Sequence, residues 1–566
     1  MKNKYENFTK EQLIEKIKHL EKHRYGLVWE DKQEDVAELC ESALPVLREV
    51  TENEISDDKR PNAPTNIIIE GDNYHALYAL NFTHKRKVDV IYIDPPYNTG
   101  NKSWRYNNDY VDKEDRFRHS KFISFMNKRL RLAKQLLKDN GILICAIDDY
   151  EVASIKLLLD EIFNEVNRLG TLVVVHNPRG RNDDKFFATQ HEYLLIYAKN
   201  TDKAHVSHFT LTEEDKDQYK QTDEISPFAE TSFIRTGNNS KRHERPNLYY
   251  PIYYNENKNK LSLEMQDGLE ELLPINSKGE ERTWRWEKKT FLELHETELF
   301  VKKVKGENKI FKKRRLLKST GKKPKTVWHD SKYDASSNGI MLLQKLFGKG
   351  NTFNYPKSLY AVKDILEITT SKKSLIVDFF AGSGTTGHAV LELNKNDGGV
   401  RQFILCTNNE NKICEEVTYP RIKKVIKGYN GNKGIDANLK YYKTDFVEQV
   451  LTDNDKRILV NLSTELLCIA ENTFELIKQS NRNLEYVIYK NIKQFTAIIY
   501  DEDAIRICKD ELEALKPKVK TVIYVFSYDQ EYNEEDFEDL TIIYDVKPIP
   551  EAILNVYRKN AKLIRK

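Results

Sequence analysis

Between residues 65 and 200 the apolar positions of this chain alternate between two rhythms. Short β-branched runs, in "NIIIEGDN", "VDVIYIDPP", "GILICAIDD", "TLVVVHNP" and "HEYLLIYAK", read as buried strands. Between the second and third, "FISFMNKRLRLAKQLLKDNG" carries apolar residues at helical spacing and stops at Asn140–Gly141, a common helix C-terminal signal. Strands alternating with helix predict an α/β domain on a largely parallel sheet. The pattern breaks up from 201 to 350 and returns after 350 as strand "SLIVDFF", a glycine turn, a helix and strand "RQFILCT". From 431 onward, strands mix with a long helix expected near 455–478. The opening residues read as helical: Thr9 and Gln12 make a capping box, Phe8 and Leu13 a hydrophobic staple, and Leu13, Ile17 and Leu20 one apolar face.

These shifts divide the 566 residues into a helical segment (1–60), an α/β core in two parts (61–200 and 351–430), an irregular polar region (201–350) and a C-terminal α/β region (431–566). The net charge of +3 hides a local excess, since residues 302–325 hold twelve Lys or Arg against the single acid Glu307. Such a run is often only a solvated face. A phosphate-binding surface is favoured here because "KRHERPN" and "TWRW" add arginine and aromatic rings nearby. Its candidates are Lys241, Arg242, Arg245, Trp284, Arg285, Lys312, Lys313, Arg314 and Arg315. The six cysteines form no CxxC pair and sit mostly in apolar runs, so reduced, buried thiols in a cytoplasmic protein are expected. No apolar stretch approaches a membrane span, and the N-terminus lacks a signal-peptide core.

Two stretches carry chemistry. The strand Val90–Ile93 runs into Asp94-Pro95-Pro96-Tyr97. The prolines end it, because neither can donate a ladder hydrogen bond, and they leave a stiff tip with a carboxylate at its start and a ring at its end. In "SLIVDFFAGSGTTGHAVLEL", Gly382, Gly384 and Gly387 satisfy G-x-G-x-x-G between strand and helix. Alone, this fits a tight structural turn or a dinucleotide site equally well. Asp378, Phe379 and Phe380 stand where a pyrophosphate would sit, which argues against a dinucleotide. No G-x-x-x-x-G-K-[ST] loop occurs, so an ATPase has no support.

Taken together, the motifs resemble the amino-methylating DNA methyltransferases, whose cofactor turn F-x-G-x-G matches Phe380, Ala381, Gly382, Ser383 and Gly384. Their catalytic tip matches Asp94, Pro95, Pro96 and Tyr97. The catalytic motif precedes the cofactor motif, with the basic segment between them, which resembles the β group. "RYGLVWE" (24–30), "EGDNYHALYAL", "HEYLLIYAK", "FNYPKSLYAVKDIL" and "LKYYKTDF" look like the Mod subunits of type III restriction–modification systems. The resemblance implies an α/β fold: a permuted Rossmann-like S-adenosylmethionine-dependent core, an inserted target-recognition domain, and helical N-terminal and α/β C-terminal additions. It also implies a homodimer acting on double-stranded DNA with a separate Res helicase–nuclease.

By that resemblance Asp94 and the Pro95 carbonyl accept the N–H bonds of a flipped-out base, Pro96 stiffens the tip, and Tyr97 stacks on the base. An acid in first position points to adenine N6 over cytosine N4, where serine is commoner. The cofactor would meet Asp72, Lys357, Asp378, Phe380, Ala381, Gly382, Ser383, Gly384 and Thr385. The ribose-binding acid usual after the next strand is displaced here: "LCTNNE" offers Glu410 late, with Asn408 or Asn409 sharing the role. Asp148 and Asp149 fit either a site or a helix cap, and Tyr193 either the base or the core. His119, His176 and His191 lack metal-ligand spacing, so no metal is assigned. A cytosine-N4 enzyme, a stand-alone methylase and a non-catalytic DNA-binding module remain as alternatives.

Overall fold

The computed structural model describes residues 8–14, 17, 34–57, 63–97, 118–180, 185–348, 353, 355–448, 452–480, 485–527 and 531–564. The "RYGLVWE" stretch lies outside them. The chain forms two compact units, 208–324 and the remainder.

The larger unit is built on a ten-stranded sheet. Its strands in chain order are β1 (Ala43–Glu49), β2 (Thr65–Glu70), β3 (Val88–Ile93), β4 (Leu137–Ile147), β5 (Arg168–Val175), β6 (His191–Ala198), β7 (Val327–Trp328), β8 (Leu375–Asp378), β9 (Gln402–Thr407) and β10 (Asn438–Glu448). Across the sheet they run β1-β10-β2-β9-β8-β3-β4-β6-β5-β7. The central six, β10 to β4, are parallel, whereas β6 is antiparallel to both its neighbours. Ile68, Ile69, Val90, Ile91, Ile144, Val377 and Leu405 are all fully buried, as expected of strands covered on both faces.

Helices α1 (Asn73–Thr83), α2 (Arg118–Leu136), α3 (Thr385–Asp397) and α4 (Tyr419–Lys427) flank the sheet. From β8 the chain passes through α3 to β9 on one side, and from the adjacent β3 through α2 to β4 on the other. The carboxyl ends of β3 and β8 therefore border a topological switch point, where open α/β sheets bind ligands.

Several local expectations change. Ala43–Glu49 is a strand, antiparallel to β10; Pro45 disfavours the helix expected across the first 60 residues. Helix α2 ends at Leu136, and Asn140–Gly141 falls in an irregular start of β4, where the pairing jumps from Val88↔Leu137 to Val90↔Ile142. The helix expected at 455–478 is two, Asp453–Asn461 and Thr464–Glu471, followed by strand Glu475–Gln479. At the break, the Ser463 hydroxyl donates to the Leu459 carbonyl at 2.6 Å, a local bond that competes with helix continuation. β10, read as the start of the C-terminal region, belongs to the large sheet. A five-stranded sheet spans residues 475–549.

The 208–324 unit pairs Pro227–Ser232, Leu299–Val304 and Glu307–Arg315 antiparallel. Its own small core contains Phe233, Tyr250, Ile252, Trp284 and Phe291. All six cysteines are buried and free of disulfides, as their apolar neighbours imply. Among the described residues no helix is long and apolar enough to cross a membrane, and no cluster of three or more His, Cys, Asp or Glu could hold a metal ion.

Candidate active site

At the switch point the two sequence motifs meet. β3 delivers Asp94 and β8 delivers Asp378, with Ile376 opposite Val90 and Val377 opposite Ile91 in the ladder. Asp94, Pro95, Pro96 and Tyr97 line one wall of a single cavity, and Phe380, Ala381, Gly382, Ser383 and Thr385 line another.

The glycine turn is shaped by its backbone. Gly382 and Gly384 have φ of +49° and +76°, in the left-handed region that glycine adopts without Cβ strain. At Gly387, a Cβ would lie 2.8 Å from Ile422 Cδ1 and 2.9 Å from Leu405 Cδ1, so the third glycine seats α3 against the sheet. Asp378 braces the turn from within: it accepts the Phe380 N–H at 3.0 Å and the Thr386 hydroxyl at 2.5 Å. Burial pushes its carboxyl up to about 7. Beneath the turn the fully buried Arg421 on α4 donates to the Ser383 carbonyl at 3.2 Å, Ser383 Oγ at 3.0 Å and Thr385 Oγ1 at 2.9 Å. Burial pushes this guanidinium down to about 9.

The catalytic wall contains an ionic cluster. The Lys357 ammonium lies 2.5 Å from Glu192 Oε2 and 3.1 Å from Asp94 Oδ1. It also reaches the Tyr97 hydroxyl, which itself donates to Glu192 at 3.2 Å. Burial and the nearby Glu192 carboxylate raise the Asp94 pKa, against the pull of Lys357. Burial opposes ionisation of Glu192, but Lys357 outweighs it and holds that carboxyl below its ordinary value. Burial disfavours the Lys357 ammonium too, yet the two acids raise its pKa overall. One cation thus serves two acids, and 26% of the Asp94 side chain remains accessible. His176 and Asn177, just past β5, complete this side of the cavity.

Glu192 is absent from the residues singled out for chemistry in the sequence, and His176 is weighed there only as a metal ligand. The signal for Glu192 was a lone acid inside an apolar strand that buries it. Lys357, expected beside the cofactor, lines the same cavity as Phe380, Ala381 and Gly382 and there bridges Asp94 and Glu192. Tyr193 alternates with Glu192 and is not part of the cavity wall; its hydroxyl donates to Asp149 at 2.8 Å. Asp148 accepts the Tyr150 N–H at 3.0 Å, a turn-capping role; burial pushes it up to about 7.

Asp72 caps α1, accepting the Tyr74 N–H at 2.7 Å, and lies 3.4 Å from the buried Arg129. Gly384, Asn409 and Glu410 are not in the cavity wall either. Asn409 Oδ1 instead accepts the Glu415 N–H at 3.2 Å. At the carboxyl end of β9, Thr407 Oγ1 and Asn408 Oδ1 are buried without a hydrogen-bond partner among the described residues.

In the 208–324 unit the basic candidates separate by burial. Trp284 is a core residue, stacked on Phe233 with its indole N–H donating to the Tyr250 carbonyl at 2.7 Å. Arg315 is buried between Asp223 and Glu298, at 2.7 and 2.9 Å. Neither can meet a polyanion directly, which corrects the surface role expected of them. Lys312 sits over the Trp286 ring at 4.8 Å, and Lys313 pairs with Asp223 at 2.7 Å. Elsewhere in the run, Lys302, Lys303, Lys318 and Lys322 pair with Glu230, Glu256, Glu298 and Asp215. Lys241, Arg242, Arg245, Arg285 and Arg314 are exposed.

A family model described as DNA methylase matches residues 88–442. The chain is 38% identical over 343 residues to the type II methyltransferase M.KpnI of Klebsiella pneumoniae, covering 60% of this chain and 79% of that protein. It is 32% identical over 469 residues to the EcoPI Mod subunit, a type III restriction–modification enzyme of Escherichia phage P1, covering 74% and 71%. Among solved structures, the M1.HpyAVI–SAM complex aligns at 15% identity with a TM-score of 0.28, covering 63% of this chain and 97% of that one.

Proposed function

The chain belongs to the DNA methylase family, and from that premise we propose that it methylates the N6 amine of an adenine flipped out of duplex DNA. The methyl donor is S-adenosylmethionine, and the chain serves as the Mod subunit of a type III restriction–modification system. The observation that carries this reading is that Asp94, on its proline-stiffened tip, and the Phe380–Ser383 stretch of the glycine turn face one cavity.

The residues present fit the donor. The turn leaves the cavity wall free of a Cβ at Gly382, and Asn408 Oδ1 and Thr407 Oγ1, outside that wall at the carboxyl end of β9, are buried groups lacking partners among the described residues, suited to ribose hydroxyls. Phe380, Ala381, Ser383 and Thr385 would line the remainder. When bound, S-adenosylmethionine supplies an electrophilic methyl.

The chain's own residues prepare the nucleophile. The amine lone pair of adenine is delocalised into the ring. Asp94, ionised, and the Pro95 carbonyl accept its two N–H bonds and favour a pyramidal nitrogen with the lone pair free. As the N–C bond forms, the proton lost from nitrogen passes to Asp94. Tyr97 offers a face for stacking, and the fixed tip contributes orientation. Extrusion of the base costs a few kcal/mol of pairing and stacking. Aspartate at the tip favours adenine over cytosine. By the resemblance to type III Mod subunits, the chain acts as a homodimer with a Res partner on another chain, and exposed Lys241, Arg242, Arg245, Arg285 and Arg314 read the DNA.

The test is transfer of labelled methyl to unmethylated genomic DNA by wild type and Asp94→Ala, followed by identification of the modified base and sequence. Label in N6-methyladenine at one short sequence, abolished by Asp94→Ala, is expected. Label in N4-methylcytosine would refute the base assignment, and transfer surviving Asp94→Ala would refute the mechanism.

A further inference from the structure

The connection from β5 to β6 carries two phenylalanines into solvent. Phe186 and Phe187 are 81% and 88% exposed, the most exposed large apolar side chains among the described residues. Cations accompany them: Lys185 Nζ lies 5.2 Å from the Phe186 ring centroid, and Arg179 is exposed on the same connection.

The neck of this loop is stiff. The His176 and Asn177 N–H groups both donate to the Gln190 carbonyl at 3.0 Å, and the Gln190 side-chain amide donates to the Pro178 carbonyl at 2.9 Å. Gly180, at φ +74°, packs so closely that a Cβ there would lie 2.7 Å from the Ala188 methyl. The foot of the loop is part of the catalytic cavity, because His176 and Asn177 line it together with Asp94.

Adjacent exposed aromatic rings mark an interaction surface. Flat apolar rings beside cations fit stacked bases flanked by phosphates. We propose that Phe186 and Phe187 form a wedge that enters the base stack of duplex DNA next to the target base and fills the gap while that base occupies the cavity. This inference rests on the flipped-base reading above. The rings replace part of the lost stacking, so the wedge lowers the free energy of extrusion and leaves the chemical step at Asp94 alone.

The test uses full-length protein and duplex oligonucleotides bearing the mapped methylation sequence. One duplex is matched, one has the target adenine opposite an abasic site, and one carries 2-aminopurine at the target. The Phe186→Ala/Phe187→Ala variant is expected to unfold at the wild-type temperature, since both rings are exposed. It should methylate the matched duplex at least tenfold more slowly, recover to within threefold of wild type on the abasic duplex, and lose most of the 2-aminopurine fluorescence rise. Equal rates on the matched duplex, or an equal loss on both duplexes, would overturn the wedge. A smaller assembly in sedimentation would also overturn it, by assigning the rings to contact with a second copy. Absence of the fluorescence rise in wild type would overturn the flipped-base reading and the wedge with it.

Discussion

Glu192→Gln isolates the part played by the cluster's second acid. In the wild type Lys357 divides its ammonium between Glu192 at 2.5 Å and Asp94 at 3.1 Å. The substitution keeps the shape and an oxygen able to accept from Tyr97, but removes one negative charge. Lys357 then turns to Asp94, whose oxygens are the acceptors needed by the incoming amine. The amine must displace a charge-assisted hydrogen bond worth about 1.5–3 kcal/mol. At about 1.4 kcal/mol per decade, that is a loss of roughly 10–150-fold in kcat. The pH profile supplies a second reading. Glu192 raises the Asp94 pKa, so deleting its charge lowers that pKa, and Asp94 stays ionised to lower pH. The acid limb of kcat therefore moves to lower pH while the plateau falls. Single-turnover methyl transfer across pH 5–9, with S-adenosylmethionine affinity measured in parallel, checks both. An acid limb that stays put or moves upward, or a defect wholly in cofactor affinity, would refute the reasoning.

Further tests address the turn and the inserted unit. Gly387→Ala introduces contacts of 2.8 and 2.9 Å with Ile422 and Leu405, so thermal unfolding should show a loss of about 1–3 kcal/mol; an unchanged midpoint would mean that α3 shifts freely. Asp378 ionises in the unfolded chain near 3.8 but in the folded chain at about 7. As pH rises between these values the folded state is progressively penalised, by at most about 4 kcal/mol. Asp378→Asn escapes that penalty, so the stability of the variant relative to wild type should climb from pH 4 to 7 and then level; a flat difference in denaturant titrations would exclude it. Arg315→Met leaves Asp223 and Glu298 without their buried cation and should lower the unfolding temperature, whereas Arg314→Ala should weaken DNA binding with little thermal effect. The reverse pattern would return Arg315 to the DNA surface.

What could be read from the sequence was what is written locally. The Asp-Pro-Pro-Tyr tip and the glycine turn are each contiguous, and strand termination and positive φ follow from their own residues. Their meeting follows from the pairing of β3 with β8. Glu192 escaped notice because its importance comes from Lys357, 165 positions away. The inward turn of Arg315 is hidden for the same reason: its partners Asp223 and Glu298, like Asp215, Glu230 and Glu256 for the neighbouring lysines, lie in segments that pair only after folding. The basic neighbours of Trp284 point it to a surface, and the core that receives it, Phe233 and Tyr250, lies more than thirty positions away. At Asn140–Gly141 a real turn signal was absorbed by the bulge opening β4.

The strand order has a consequence for synthesis. β2 and β3 follow one another in the chain, yet β9 and β8 lie between them in the sheet. When the ribosome has made Ile93, the two strands that will fill that gap are still unwritten, and the last ends at Thr407. Those roughly 300 residues take about 15–60 s at 5–20 residues per second. Throughout that interval β4 can already pair with the far edge of β3, but the edges of β2 and β3 that face the gap stay open with nothing to close them. The long-range β8–β3 pairing also makes this a slow closure. The protein is therefore expected to depend on holding chaperones during translation, and its methyl-transfer centre comes into being only as the final third of the chain emerges.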